Sequence, residues 1–222
     1  MIEIKELTQS YQNKVVLKEI DLIIEQNEIC ALVGSNGAGK STLIHSMLNL
    51  IPVKKGLIKL SGIPHTKEEW KKNVAYLPEK FLLYPHMTGE ENMKFFASLG
   101  TGPTNEKKVE EILLKVNLWD KRGELIKGYS KGMLQRLGLG IMLYYDSPIL
   151  VLDEPTSGLD PKGRIEILTI LKSLENKTIL FSSHHMDEIR QVCSHVAFLE
   201  DGKISKFTLN DFYEKYIVGG LL

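Results

Sequence analysis

The feature that most limits how this chain can fold is a glycine-rich segment, residues 34–41, which lies between two regular patterns. Its residues, Gly-Ser-Asn-Gly-Ala-Gly-Lys-Ser, fit the spacing G-x-x-x-x-G-K-[ST]. The run before it, residues 29–33, is continuously apolar, which is typical of a strand buried on both faces. From Lys40 onward the apolar spacing becomes helical. A strand, a tight loop and a helix in this order predict an α/β fold with a phosphate-binding loop.

Each residue type in this loop has a chemical reason to be there. Glycine lets backbone N–H groups wrap a phosphate at φ angles that a Cβ would obstruct, and the helix N-terminus adds the positive end of its dipole. The Lys40 side chain can reach the β- and γ-phosphates, and the Ser41 hydroxyl can ligate Mg²⁺. We therefore predict a catalytic contribution from Lys40 and nucleotide binding by Ser35, Asn36, Gly37, Ala38, Gly39, Lys40, Ser41 and Thr42.

A second apolar run, residues 149–152, ends in two adjacent carboxylates, Asp153 and Glu154. Such a pair at the tip of a core strand is costly unless it holds a cation or takes part in chemistry. Asp153 suits Mg²⁺ in the outer shell, and Glu154 can orient or deprotonate an attacking water. The alternative is a solvated strand end without a chemical role.

The rest of the chain predicts further elements around this core. Apolar and charged residues alternate at the start of the chain, which predicts strands, and residues 88–145 are almost wholly helical in pattern. Strand and helix patterns alternate again after residue 149, and Asn210 is predicted to cap a last short helix. The expected fold is therefore an α/β core with a mostly parallel sheet, an N-terminal antiparallel β subdomain and an inserted α-helical subdomain.

Composition excludes some function classes. Lys plus Arg and Asp plus Glu both number 28 in 222 residues, so the chain lacks the basic field typical of nucleic-acid binding, and no nucleic-acid partner is expected. Cys30 and Cys193 show no metal spacing, which indicates core residues in a reduced cytosolic setting. The first residues lack the pattern of a signal peptide, and no apolar run approaches the ~20 residues of a spanning helix.

With these motifs in place, the chain resembles the ATP-binding cassette (ABC) family over essentially its whole length. The family motifs occur in order: Walker A at 34–41, a signature segment at 129–136, Walker B at 149–154, a D-loop at 157–160 and a switch histidine at His184. In the signature segment, Tyr-Ser-Lys-Gly-Met-Leu-Gln-Arg, Lys131 stands where glycine is commoner. The resemblance implies a P-loop NTPase core that binds ATP and Mg²⁺.

The resemblance also implies roles for four more residues. Tyr11 would stack on adenine, and His184 would act in catalysis with Glu154 by hydrogen-bonding the γ-phosphate. Ser130 and Gly132 would contact ATP bound by a second subunit in a head-to-tail dimer, either homo- or heterodimeric. Taken without the other motifs, Ser130 is a good helix N-cap and Tyr11 an ordinary half-buried strand aromatic.

The sequence departs from the family at Glu79, where glutamine is usual. A carboxylate there can still coordinate Mg²⁺ or position water, although it adds negative charge near an anionic site. The predicted metal ligands are Ser41, Asp153 and Glu79. Glutamate at this position together with a Ser-Lys-Gly signature is similar to stand-alone ATPase subunits of bacterial exporters.

The resemblance implies a single ABC ATPase domain at 1–222, with a core at about 1–80 and 146–222 and a helical subdomain at about 81–145. Its expected function is ATP hydrolysis that drives transport, with export favoured, through a separate polytopic membrane permease. The expected location is cytoplasmic, peripheral on the membrane through that permease. The alternatives are a soluble ABC ATPase acting on nucleic acid or ribosomes, and a P-loop small-molecule kinase, which would not explain the signature and switch motifs.

A short apolar run, residues 81–84, Phe-Leu-Leu-Tyr, lies between Pro78 and Pro85 in a predicted loop. One hypothesis is that it lines a groove for a short helix of the permease, since leucine and aromatic side chains suit helix-in-groove docking. The other is that it packs beneath the helical insertion as core.

Overall fold

The structure is a computed structural model that describes residues 1–11, 14–100 and 102–218. Over these residues the chain forms ten β-strands and seven α-helices. The strands are β1 (Ile2–Tyr11), β2 (Lys14–Ile24), β3 (Ile29–Val33), β4 (Lys55–Leu60), β5 (Ile63–Pro64), β6 (Val74–Leu77), β7 (Ile149–Leu152), β8 (Thr178–Ser182), β9 (His195–Glu200) and β10 (Lys203–Thr208). The helices are α1 (Lys40–Met47), α2 (Gly89–Ala97), α3 (Glu106–Lys115), α4 (Lys131–Tyr144), α5 (Pro161–Lys172), α6 (Met186–Val192) and α7 (Leu209–Phe212).

The chain divides into two compact units. The first comprises residues 1–74, 148–153 and the chain from 175 onward, and the second comprises 75–147 and 154–174. The second unit is larger than the predicted helical subdomain, because it also contains α5 and the segment that joins α5 to the carboxylate pair. Glu154 is therefore the first residue of a segment that packs with the helices.

In the first unit, strands run in the order β10-β9-β3-β8-β7. The pairs β9–β3, β3–β8 and β8–β7 are parallel, and β10 pairs antiparallel with β9. All residues of β7 and β8 are buried, as are four of the five in β3, which explains their continuous apolar sequences. The mostly parallel sheet is confirmed.

A second sheet in the same unit has the order β2-β1-β4-β5, with every pairing antiparallel. Burial along β2 falls on Leu17, Ile20, Leu22 and Ile24, with exposed residues between them. That alternation is expected for a sheet with one face on a core. The predicted N-terminal antiparallel strands are confirmed.

The second unit is mainly helical, and its helices begin at polar capping residues. Thr88 and Glu91 form a reciprocal capping box at α2, and the Asn105 side chain accepts from a backbone N–H of α3. The Ser130 and Asp160 side chains cap α4 and α5 in the same way. Nine of the fourteen residues of α4 are buried, so this helix forms the centre of the unit.

The last short helix starts two residues earlier than predicted. Thr208 has the extended backbone of an N-cap, and its side chain accepts a hydrogen bond from the Asp211 N–H at 3.2 Å. Asn210 lies within α7, so the prediction that it caps this helix was wrong. The reason is that Thr208 ends β10 in the extended conformation an N-cap needs, two residues before Asn210.

Both cysteines are free and buried, as predicted for small core residues. Burial and the nearby Glu28 carboxylate raise the pKa of the Cys30 thiol to about 12. Burial also raises the pKa of Cys193 well above its ordinary value. Among the described residues, no helix is both long enough and apolar enough to cross a bilayer.

Candidate functional site

The loop between β3 and α1 depends on glycine at two positions. Gly37 and Gly39 have φ angles of 83° and 111°, in the left-handed region that favours glycine. A Cβ at Gly39 would also lie 3.0 Å from Val16 Cγ1 and 3.1 Å from Leu17 Cδ2. The backbone therefore disfavours a side chain at both positions, and at Gly39, a fixed glycine of the sequence pattern, the neighbouring side chains oppose one as well.

The first turn of α1 is open to an anion. Its N-cap is Gly39, and no side chain in the described part of the chain caps it, so its first N–H groups are left for another acceptor. The Lys40 ammonium folds over the loop and donates to Gly34 O at 2.8 Å and to Ser35 O at 3.4 Å. A cation, free N–H donors and glycine backbone together fit a phosphate group.

The strands place Asp153 near the end of β8. β7 and β8 are parallel neighbours, so their carboxyl ends lie at one edge of the sheet, with Leu152 opposite Phe181. Across this edge the Ser182 hydroxyl donates to Asp153 Oδ1 at 2.7 Å, and both residues are buried. The Asp153 carboxylate is therefore held in one orientation. The phosphate loop follows β3, which pairs with β8 on its other side.

The switch segment after β8 is held by a second buried pair. The Ser183 hydroxyl donates to Glu188 Oε2 at 2.8 Å and accepts from the His185 N–H at 3.1 Å. His184 is exposed, and its ring centroid lies 4.0 Å from that of His185. The Ser183–Glu188 pair was not predicted, because the recognisable motif ends at His184. Glu188 lies in α6, which follows the motif and has no such pattern.

In the second unit, Glu154 has a left-handed backbone with φ of 48°, which is unusual for a residue with a side chain. A turn follows, in which the Ser157 N–H donates to Glu154 O at 3.0 Å. A residue with a side chain adopts this conformation at some cost, which the turn that follows helps to offset.

The signature segment begins at a buried tyrosine. The Tyr129 hydroxyl donates to Lys121 O at 2.7 Å, and burial together with Glu124 raises the pKa of Tyr129. The next residue, Ser130, is exposed, and its Oγ accepts from the Met133 N–H at 3.2 Å, so its predicted capping role is confirmed. Gly132 lies in the first turn of α4.

Two further residues complete the predicted site. Glu79 is exposed just after β6, in the second unit. Tyr11 is the last residue of β1, and its side chain lies outside the described part of the structure, so its contact with adenine stays a prediction.

No cluster of three or more His, Cys, Asp or Glu residues that could hold a metal occurs within 1–11, 14–100 and 102–218. This arrangement still fits Mg²⁺, because that ion is usually bound through one or two carboxylates together with substrate phosphates. Asp153 and the hydroxyl of Ser41 would supply that kind of partial ligand set.

The apolar loop at residues 81–84 has both half-buried and exposed residues. The Phe81 ring occupies the space that a side chain at Gly138 would need, whereas Leu82 is 91% exposed. The loop is held by Asn92, a fully buried residue that bonds both backbone groups of Tyr84. Asn92 was missed, because an asparagine inside a helical pattern gives no sign that it has a loop to hold.

Comparison with known proteins gives consistent results. A family model described as ABC transporter matches residues 17–157. The ABC transporter ATP-binding protein YhcH of Bacillus subtilis is 36% identical over 209 residues, which cover 92% of this chain and 68% of YhcH. The lantibiotic transport ATP-binding protein SrtF of Streptococcus pyogenes is 34% identical over 207 residues, covering 92% of this chain and 89% of SrtF.

Solved structures agree at the level of the fold. The ATP-binding subunit of an ABC transporter matches with a TM-score of 0.84 and 27% identity, covering 97% of this chain and 93% of the other. A dimeric ATP-binding cassette bound to ADP and Pi matches with a TM-score of 0.83, 24% identity and coverage of 94% and 99%, which shows the shared fold. The chain therefore belongs to the ABC transporter family and is one of its ATP-hydrolysing subunits.

Proposed function

We propose that the ATP site of this subunit is formed by the loop from Ser35 to Thr42, with Asp153 as the carboxylate that serves the metal ion. The observation that carries the proposal is the open first turn of α1, where Lys40 lies over a loop of left-handed glycines. Bound Mg²⁺ would offset the charge of the β- and γ-phosphates. Ser41 and Asp153 would hold it, with Glu79 as a further oxygen ligand.

Glu154 is the proposed base that orients or deprotonates water. It directly follows Asp153, so the two adjacent carboxylates divide metal binding and proton transfer between them. The Ser182–Asp153 hydrogen bond supports this division, because it occupies an Asp153 oxygen and fixes that carboxylate. His184 is proposed to hold the γ-phosphate, and its exposure supports this role. Tyr11 would contact the adenine.

A second copy or a related subunit is proposed to complete the site through Ser130 and Gly132. Ser130 is exposed at the start of α4, where its hydroxyl and the helix N-terminus suit a phosphate. The dimeric relative bound to ADP and Pi supports this arrangement by analogy of fold.

The proposed direction is export through a separate membrane permease, with the subunit attached peripherally at the cytoplasmic face. The names of two relatives support this, since SrtF is a lantibiotic transport protein and LnrL, 31% identical over 210 residues, a linearmycin resistance protein, both ATP-binding. The exposed Leu82 supports docking of the permease at residues 81–84. These relatives do not favour the alternative of a soluble ATPase acting on nucleic acid or ribosomes.

The test is Glu154→Gln in the purified chain. ATP binding should survive while hydrolysis falls by roughly 10²–10⁴-fold, the usual contribution of a general base. ATP should then hold the dimer closed, which gel filtration would show as an ATP-dependent doubling of mass. Glu175→Gln, at an exposed carboxylate outside the motifs, is the matched control and should behave as wild type. A Glu154→Gln variant that stays monomeric with near-normal turnover would refute the proposal.

A further inference from the structure

The first half of α4 contacts α5 at two points and the D-loop at a third. The Arg136 guanidinium forms an ion pair with the Glu166 carboxylate. One turn earlier, a Cβ at Gly132 would lie 3.7 Å from Gly163 Cα, so the two backbones approach closely. The Lys131 ammonium occupies the space that a side chain at Gly158 would fill. The start of the signature helix is therefore packed against the D-loop and the helix that follows it.

The ion pair is the most constrained of these contacts. The side chain of Arg136 is 10% exposed and that of Glu166 26%. Burial lowers the pKa of Arg136, and its Nε finds no acceptor among the residues that the structure describes. A buried pair of this kind contributes little net stability compared with neutral side chains of similar size, but losing one partner leaves an uncompensated charge. The pair is therefore better explained by what it holds in place than by its contribution to stability.

The chain between α5 and Glu154 is short and internally bonded. Asp160 Oδ1 accepts from the Gly163 N–H at 2.9 Å, and Arg164 Nε donates to Leu159 O at 3.1 Å. Further back, the Leu159 N–H donates to Thr156 O at 3.2 Å, and the Ser157 N–H donates to Glu154 O. Consecutive turns leave few free torsions in this segment. A shift of α5 is therefore passed on to the backbone of Glu154.

We propose that Arg136 is a positioning residue, which through Glu166 fixes α5 against α4 and so sets the place of the Glu154 carboxylate relative to Ser130. The inference rests on the proposed roles of Glu154 and Ser130. Its consequence is that contact of the signature segment with a nucleotide acts on the proposed base within the same subunit, through α5. All of these residues belong to the second unit.

The test replaces both partners at once, Arg136→Met with Glu166→Gln. Because neither a buried cation nor a buried anion remains, the double variant should fold and melt close to wild type. Its ATP affinity, measured by calorimetry, should be unchanged, because the phosphate loop is untouched. Its kcat should fall about 10- to 100-fold, since small misplacements of a catalytic group have effects of that size. Lys172→Met, at an exposed lysine in the last turn of α5, is the control and should keep wild-type kcat.

Arg136→Lys keeps the charge but loses the planar fork, and should give an intermediate kcat with unchanged ATP affinity. Arg136→Lys also tests the inference if the double variant does not fold. Wild-type kcat in either folded variant would overturn the inference, as would a loss of ATP affinity that matches the loss of kcat. Failure of the proposed function looks different: Glu154→Gln would then hydrolyse ATP normally, whatever the Arg136 variants do.

Discussion

Replacing Asn92 with alanine tests how the loop at residues 81–88 is held in place. The Asn92 Oδ1 accepts from the Tyr84 N–H at 2.8 Å. Its Nδ2 donates to Tyr84 O at 3.1 Å and to Thr88 O at 3.0 Å. An alanine side chain makes none of these bonds, and because Asn92 is fully buried, its site is shielded from the water that could replace them.

The expected size of the effect follows from these contacts. A typical hydrogen bond contributes about 0.5–1.5 kcal/mol net, so three bonds set an upper bound of about 4.5 kcal/mol. Tyr84 is 46% exposed, and water can therefore satisfy part of its backbone in the variant. We expect a loss of about 2 kcal/mol in the free energy of unfolding. For a chain of this length that corresponds to a fall of about 4–8 °C in Tm.

Thermal unfolding followed by circular dichroism measures this effect, and co-purification of a membrane subunit with the tagged chain measures docking. Leu82→Ser is the matched control, because a side chain that is 91% exposed should change stability by less than about 0.5 kcal/mol. If the loop is a docking surface, both variants should lose the membrane subunit, but only Asn92→Ala should lose stability. An Asn92→Ala variant that melts at the wild-type temperature would show that the three bonds contribute nothing, and the reasoning would fail.

Three further predictions concern the phosphate loop and its neighbouring carboxylate. Lys40→Ala should abolish ATP binding in calorimetry without lowering Tm, because its ammonium donates to carbonyls of the loop itself. Unchanged affinity would exclude this loop as the site. Ser182→Ala removes a hydrogen bond to the charged Asp153 carboxylate, so it should lower the free energy of unfolding in urea by about 2 kcal/mol. It should also weaken ATP binding more with Mg²⁺ than without it, and equal weakening would argue against metal binding at Asp153. Gly37→Ala should lower the free energy of unfolding by about 1–2 kcal/mol, from its left-handed backbone alone. Gly39→Ala should lower it clearly more, because its Cβ would also meet a side chain at 3.0 Å, and equal melting temperatures of the two variants would refute this packing argument.

The fold class could be predicted because its signals are local. The apolar run of β3, the glycine spacing and the helical pattern after Lys40 occupy about twenty consecutive residues. Along β1 the apolar residues Ile2, Ile4 and Leu7 likewise alternate with charged ones, which shows which face is buried without knowledge of its partner. Even Ser130 could be identified as a cap, because a cap and the N–H that it serves are three residues apart.

Residues that hold the site in place could not be predicted, because their partners are distant in sequence. Ser182 and Asp153 are separated by 29 residues and meet only because β7 and β8 pair in a particular register. Arg136 and Glu166 meet only because α4 and α5 pack side by side. At Asn210 even a local rule failed, since two polar residues compete and the end of the preceding strand decides between them.

The burial of both native cysteines has a practical consequence for site-specific labelling. Alkylating reagents react with thiolates, and a thiol whose pKa is raised to about 12 is almost entirely protonated at neutral pH. Cys30 and Cys193 should therefore react slowly with maleimides in the folded protein. A cysteine placed at position 82 would be exposed and would take up a fluorophore selectively, without removal of the native thiols. Arrival of a membrane partner at that loop could then be followed by fluorescence in an otherwise unaltered chain.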